Sequence, residues 1–140
     1  MSVQAVLAPV FVLVLLTAVL LLRTVSLRVP ALRGGRVRPT DVTLDDAAFP
    51  ERTRQFGNAY SNQFELPVLF YVLVILAMQT KQADFLFVVM SWLFVLSRLV
   101  HAYIHTGAND LSQRGLAFAF GAAVLLLMWL IYALRLFLAL

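Results

Sequence analysis

Apolar and polar positions divide the chain into four long apolar stretches joined by polar connections. Residues 3–22 form a run of 20 without a charge, enough to cross a hydrocarbon layer roughly 30 Å thick at about 1.5 Å per helical residue. Residues 66–78 form a second apolar run. It becomes a full span, 58–78, when the polar turn before it is counted as helix. Residues 85–104 form a third span, interrupted near its end by Arg98 and His101, and 116–134 a fourth of 19 uncharged residues. The connections are a long polar loop at 23–57, a short one at 79–84 and another at 106–114. This pattern predicts an all-α integral membrane protein, a single domain folded as a four-helix up-down bundle.

Composition supports that class. Of 140 residues, 62% are hydrophobic and 13% charged, whereas a soluble domain is nearer half apolar and a quarter charged. One small aqueous core cannot hide so much apolar surface. The first span is not read as a cleaved signal peptide, because residues 1–4 carry no basic side chain and no small-residue cleavage site follows. Cysteine is absent, which excludes disulfides, cysteine-bound metals and a thiol nucleophile belonging to the protein.

The net charge of +4 gains meaning from its position. Seven of the eleven basic residues are Arg23, Arg28, Arg33, Arg36, Arg38, Arg52 and Arg54, all near or within the first loop. Lys and Arg mark the cytoplasmic side. Loops 23–57 and 106–114 are therefore expected in the cytoplasm, with both termini outward. The basic cluster reads as a topology signal that also touches anionic lipid heads. Nucleic acid is not an expected partner, since neither a stacking platform nor a basic recognition helix accompanies the charge.

Ionisable groups within a span are costly and face partners or a cavity. Arg54, Asn58, Ser61, Asn62 and Glu65 recur at three- and four-residue spacing, on one helical face. Arg98, His101 and His105 share a face of the third span, and Arg114 lies at the mouth of the fourth. The up-down topology brings all of them to one leaflet. Such a set suits an anionic ligand, with guanidiniums for carboxylates and Asn or Glu for amides and an ammonium. The apolar surroundings suit a lipophilic small-molecule substrate arriving from the bilayer. The structural alternative is a Glu65–Arg98 pair that merely fixes helix register, with Arg114 an interfacial anchor. His101 and His105 have no third ligand at a suitable spacing, so no metal is expected.

The residues Arg54-Gln-Phe-Gly-Asn-Ala-Tyr-Ser-Asn-Gln-Phe-Glu-Leu-Pro67 resemble the Asn-x-x-Glu motif that opens the second helix of the MAPEG family, membrane-associated proteins in eicosanoid and glutathione metabolism. Arg98-Leu-Val-His101, followed sixteen residues after Arg98 by Arg114, is similar to the family's Arg-x-x-His and the arginine opening its fourth helix. The resemblance, to a bacterial-type member, covers residues from about 52 to 132. It implies a homotrimer in a bacterial inner membrane, with glutathione as co-substrate held between subunits. Asn62 and Glu65 would hold the glutathione backbone, Arg98 and His101 would support the same cavity, and Arg114 would stabilise the thiolate as the catalytic residue. Two positions depart from the family pattern. Asn58 stands where an arginine usually meets a glutathione carboxylate, a contact Arg54 would take over, and His105 stands where a tyrosine is usual.

The function expected is a glutathione-dependent transferase or peroxidase acting on lipophilic electrophiles or hydroperoxides in the membrane. The alternative is a non-catalytic lipid-binding or scaffold membrane protein of the same family. A channel or transporter is disfavoured, because the polar residues stop at one leaflet. Orientation can be checked directly, since the chain offers a cysteine-free background. An impermeant thiol reagent applied to intact cells is expected to label Ser2→Cys and to spare Gly35→Cys; the opposite preference would invert the topology.

Overall fold

The computed structural model describes residues 1–139. Its elements are helices α1 (Val3–Arg33), α2 (Glu51–Asn62), α3 (Leu66–Gln79), α4 (Phe85–Thr106) and α5 (Leu111–Leu138), with a short 3₁₀ turn at Pro39–Val42. Four stretches are long and apolar enough to cross a membrane, with α2 and α3 together making the second, Glu51–Gln79. The molecule is thus an all-helical, four-span bundle. Its two faces follow from the solvent around it. Leu13, Phe70, Leu73, Phe94, Val95 and Leu125 are fully buried, while Phe11, Leu22, Ile75 and Leu126 are exposed on the outside of the bundle.

Several element bounds differ from the sequence expectation, among them that of α5, which starts at Leu111 inside the loop expected at 106–114 and runs to Leu138. Helix α1 does not end at residue 22 but runs on to Arg33. Arginine is a good helix former, the helix accommodates Pro30 in its interior, and it ends only at Gly34, whose N–H donates to the Pro30 carbonyl at 2.8 Å. Gly35 then takes φ +71°, a backbone conformation that glycine adopts freely. Thirty-one residues reach about 46 Å, so the basic end of α1 projects beyond the hydrocarbon layer. The start of α2 likewise turns residues 51–57 from loop into helix, which leaves 34–50 as the irregular connection.

The second span is broken rather than continuous. Pro67 occupies the second position of α3. Its ring lacks an N–H and would collide with the carbonyl four residues back, so the chain leaves the helix at residues 63–65 before resuming. Elsewhere side chains set the ends. Asp84 accepts the Phe87 N–H at 2.9 Å to cap α4, and Asp110 accepts the Gln113 N–H at 3.0 Å to cap α5. Asp84 also pairs with Arg135 at 2.9 Å, tying the α3–α4 turn to the far end of α5.

The remaining connection is held by Arg28, which pairs with Asp46 and covers the Phe49 ring at 5.2 Å. Gly57 makes room for it, because a Cβ there would lie 2.7 Å from the Arg28 guanidinium. Helices α4 and α5 meet closely at Gly121, where a Cβ would collide with Ser97 Oγ. That hydroxyl already donates to the Phe94 carbonyl at 2.6 Å. Gly121→Ala is therefore expected to lower stability by about 1–3 kcal/mol, and Ser97→Ala in the same chain to recover much of the loss. Thermal unfolding of the single and double variants in detergent checks both.

Candidate functional site

The break before α3 turns the end of α2 toward α4 and leaves an open cleft of about 480 Å³. Asn58, Ser61 and Asn62 of α2 and Glu65 of the break form one wall. His101 and His105 of α4 form the floor, and Leu111, Arg114, Gly115 and Phe118 of α5 the other wall. Seven of the nine polar residues singled out from sequence thus line one cavity: Asn58, Ser61, Asn62, Glu65, His101, His105 and Arg114. Leu111 and Phe118 give it an apolar side.

Arg98 lies behind the cleft, not in it. It is 1% exposed, and its Nη2 donates to the Asn62 side-chain oxygen and, at 3.4 Å, to the Asn62 carbonyl. The Asn62 amide in turn approaches Glu65 Oε2 at 3.4 Å. The direct Glu65–Arg98 pair of the structural alternative is therefore absent among the described residues. Asn62 stands between them, and Glu65 stays exposed, with Oε2 toward the Asn62 amide and Oε1 open to the cleft. Arg98 Nε and Nη1 have no partner within the described residues.

Arg54 does not join the cleft either. It lines a neighbouring one with Asp45, Asp46 and Glu51, which touches the first only through Asn58. A helical face 3.6 residues per turn wide spreads five polar residues over more than one groove. An arginine among three carboxylates is poorly placed to replace a guanidinium at position 58.

The two histidines meet edge to face with ring centroids 5.5 Å apart, and Phe118 packs on His101 at 5.9 Å. His105 Nδ1 is buried without a partner. Among the described residues no set of three His, Asp or Glu side chains gathers around one point. Arg114 is half-buried and fixed by Asn109, whose side-chain oxygen accepts its Nη1–H at 2.6 Å. Asn109 is itself held in the left-handed region at φ 55°, where asparagine is favoured among non-glycine residues. Its N–H donates to the Ile104 carbonyl at 2.8 Å and finishes α4.

Sequence reasoning passed over Asn109 and Phe118, and it noted Pro67 after the motif without drawing a break from it. For the first and third a signal existed: Asn109 is a turn-prone residue one position before the Asp110 cap, and a proline two residues after Glu65 marks a helix start. Nothing in the sequence distinguished Phe118 from the other aromatic residues of α5.

No curated protein and no solved structure matches the chain. The family comparison does match: the MAPEG family covers residues 6–134 of the 140. With nearly the whole chain included, and with the second-, third- and fourth-helix polar residues gathered as described, this multi-pass membrane protein belongs to the MAPEG family.

Proposed function

We propose that the protein is a glutathione-dependent transferase or peroxidase for lipophilic electrophiles or hydroperoxides. The observation that carries this reading is the single cleft in which a free carboxylate, Glu65, and a preset guanidinium, Arg114, stand on opposite walls. Family membership supports a role in glutathione or eicosanoid chemistry in general.

The roles divide by chemistry. Glu65 faces the ammonium of glutathione, and Asn62 and Asn58 offer amide hydrogen bonds to its backbone. Arg114 lies at the other wall, where the sulfur is placed. A free thiol has a pKa near 8.5, and each unit by which a neighbouring cation lowers it corresponds to about 1.36 kcal/mol. The thiol proton leaves to water, and the thiolate attacks an electrophilic carbon while the leaving group departs with the bonding pair. With a hydroperoxide the thiolate takes the terminal oxygen, the O–O bond breaks, and the alkoxide collects a proton as the alcohol. A second glutathione then converts the sulfenic acid to the disulfide and water. Leu111 and Phe118 hold the lipophilic partner near the sulfur, so proximity contributes to the rate.

The cleft is open on one side, and a homotrimer would close it with a neighbouring subunit. The membrane proposed is a bacterial inner membrane with the termini outward and the cleft toward the cytoplasm. One observation favours the lipid-binding or scaffold alternative: no guanidinium reaches position 58, because Arg54 sits among Asp45, Asp46 and Glu51.

Thiolate absorbance on adding glutathione, beside calorimetric titration, tests the assignment. Arg114→Ala is expected to abolish the thiolate signal while keeping most of the binding. Glu65→Ala is expected to weaken binding by about 1.5–3 kcal/mol, the range of a charge-assisted hydrogen bond, with little loss of stability, since Arg98 rests on Asn62. A wild-type protein without thiolate signal at saturating glutathione would reject the catalytic reading in favour of lipid binding. Native mass spectrometry in mild detergent is expected to give a trimer, and monomers alone would refute the assembly.

A further inference from the structure

Arg98 takes no part in lining the cleft, but the residue it holds does. Its guanidinium is buried and reaches out through a single nitrogen, Nη2, while Nε and Nη1 have no partner among the described residues. Both acceptors of Nη2 belong to Asn62: the side-chain oxygen and, at 3.4 Å, the carbonyl. The same carbonyl accepts the Glu65 N–H at 3.3 Å, which closes the turn that carries Glu65 to the cleft wall.

A guanidinium can only donate, whereas an amide side chain donates from one end and accepts at the other. Beside Arg98, Asn62 therefore has one stable direction, with Oδ1 toward the guanidinium and Nδ2 away from it. In that direction Nδ2 stands 3.4 Å from Glu65 Oε2 and offers it a donor. Flipped end for end, Asn62 would aim its oxygen at the carboxylate and its own N–H groups at Arg98. Both contacts would then be repulsive. The buried cation also polarises the amide it binds, which strengthens the N–H that faces Glu65. One charge beyond the reach of any ligand thus sets the direction of an amide and the seat of a carboxylate.

We propose that Arg98 is a positioning residue for ligand selection: acting through Asn62, it holds Glu65 where the cleft accepts an ammonium group. The role rests on the assignment of Glu65 to the glutathione ammonium made above. Arg98 then contributes to the choice among thiols, favouring those with a free α-amino group, without touching them. An arginine that only fixed α2 against α4 would affect every thiol alike.

Calorimetric titration of the intact protein in detergent with a pair of thiols separates these roles. One is glutathione, the other glutaryl-cysteinyl-glycine, the same molecule without the α-amino group. Wild type is expected to bind glutathione about tenfold more tightly. Arg98→Met, which keeps an unbranched side chain but no donor, is expected to cut that preference to less than about threefold. Arg98→Lys restores a cationic donor and should recover most of the preference. If Arg98→Met does not fold, Arg98→Gln takes its place. A glutamine amide meets Asn62 in either direction, so the preference should fall by about threefold. Glu65→Gln tests the underlying assignment by itself and should erase the preference. Equal weakening of both thiols by the Arg98 variant, with the preference intact, would overturn the positioning role and leave Glu65 as the ammonium site. A wild type that shows no preference, or binds neither thiol, would instead overturn the assignment of Glu65, and this role with it.

Discussion

The polar end of the bundle depends on the burial of one guanidinium. Arg98 sits at 1% exposure inside a spanning helix, where an unpaired charge is costly. The partner it finds is the side-chain oxygen and carbonyl of Asn62, at the last residue of α2. That contact fixes the end of α2 against α4, and it does so with a neutral group. Glu65, which would have been consumed in a direct pair, is left on the surface of the cleft. Because α2 is anchored at this point, its exposed face stands opposite α5 and a cavity remains between them.

The opposite end of the bundle is built differently. There the charges are Asp84 and Arg135, paired across the α3–α4 turn and the end of α5, while the volume between is filled with Phe87, Met90, Met128 and Tyr132. One end is closed by packing and a surface ion pair, the other is open and lined with hydrogen-bonding groups. The two ends share the same helices, so the difference lies in side chains and in the break before α3.

The four spans were legible because uncharged runs of about twenty residues have few readings other than a membrane helix. Convergence of Asn62, Glu65, His101, His105 and Arg114 was legible too, since up-down topology places the start of one span beside the end of the next. What the sequence concealed is finer. Arg54 and Asn58 lie one turn apart on one helical stripe and share the neighbouring groove, yet only Asn58 also reaches the candidate cleft, a division that depends on neighbours from other helices. The length of α1 was hidden for a related reason: hydropathy reports where lipid ends, not where the helix ends, and arginines extend a helix into the headgroup layer without any change in backbone. The sequence left a direct Glu65–Arg98 pair open as the structural alternative, because spacing alone does not show that the Asn62 side chain stands between the two charges.

The break at residues 63–65 has a mechanical side. A continuous span would transmit every change of tilt from the apolar segment to the polar one, since a helix turns as a rod. Here the helical ladder gives way at residues 63–65 to three shorter turns, Gln63 to Tyr60, Phe64 to Ser61 and Glu65 to Asn62. Helix α2, packed on α1 and α4 and tied to the Thr106 carbonyl through Arg52, is therefore not the rigid continuation of α3. The α2 wall of the cleft is placed by its own neighbours and not by the apolar segment that follows it in the chain.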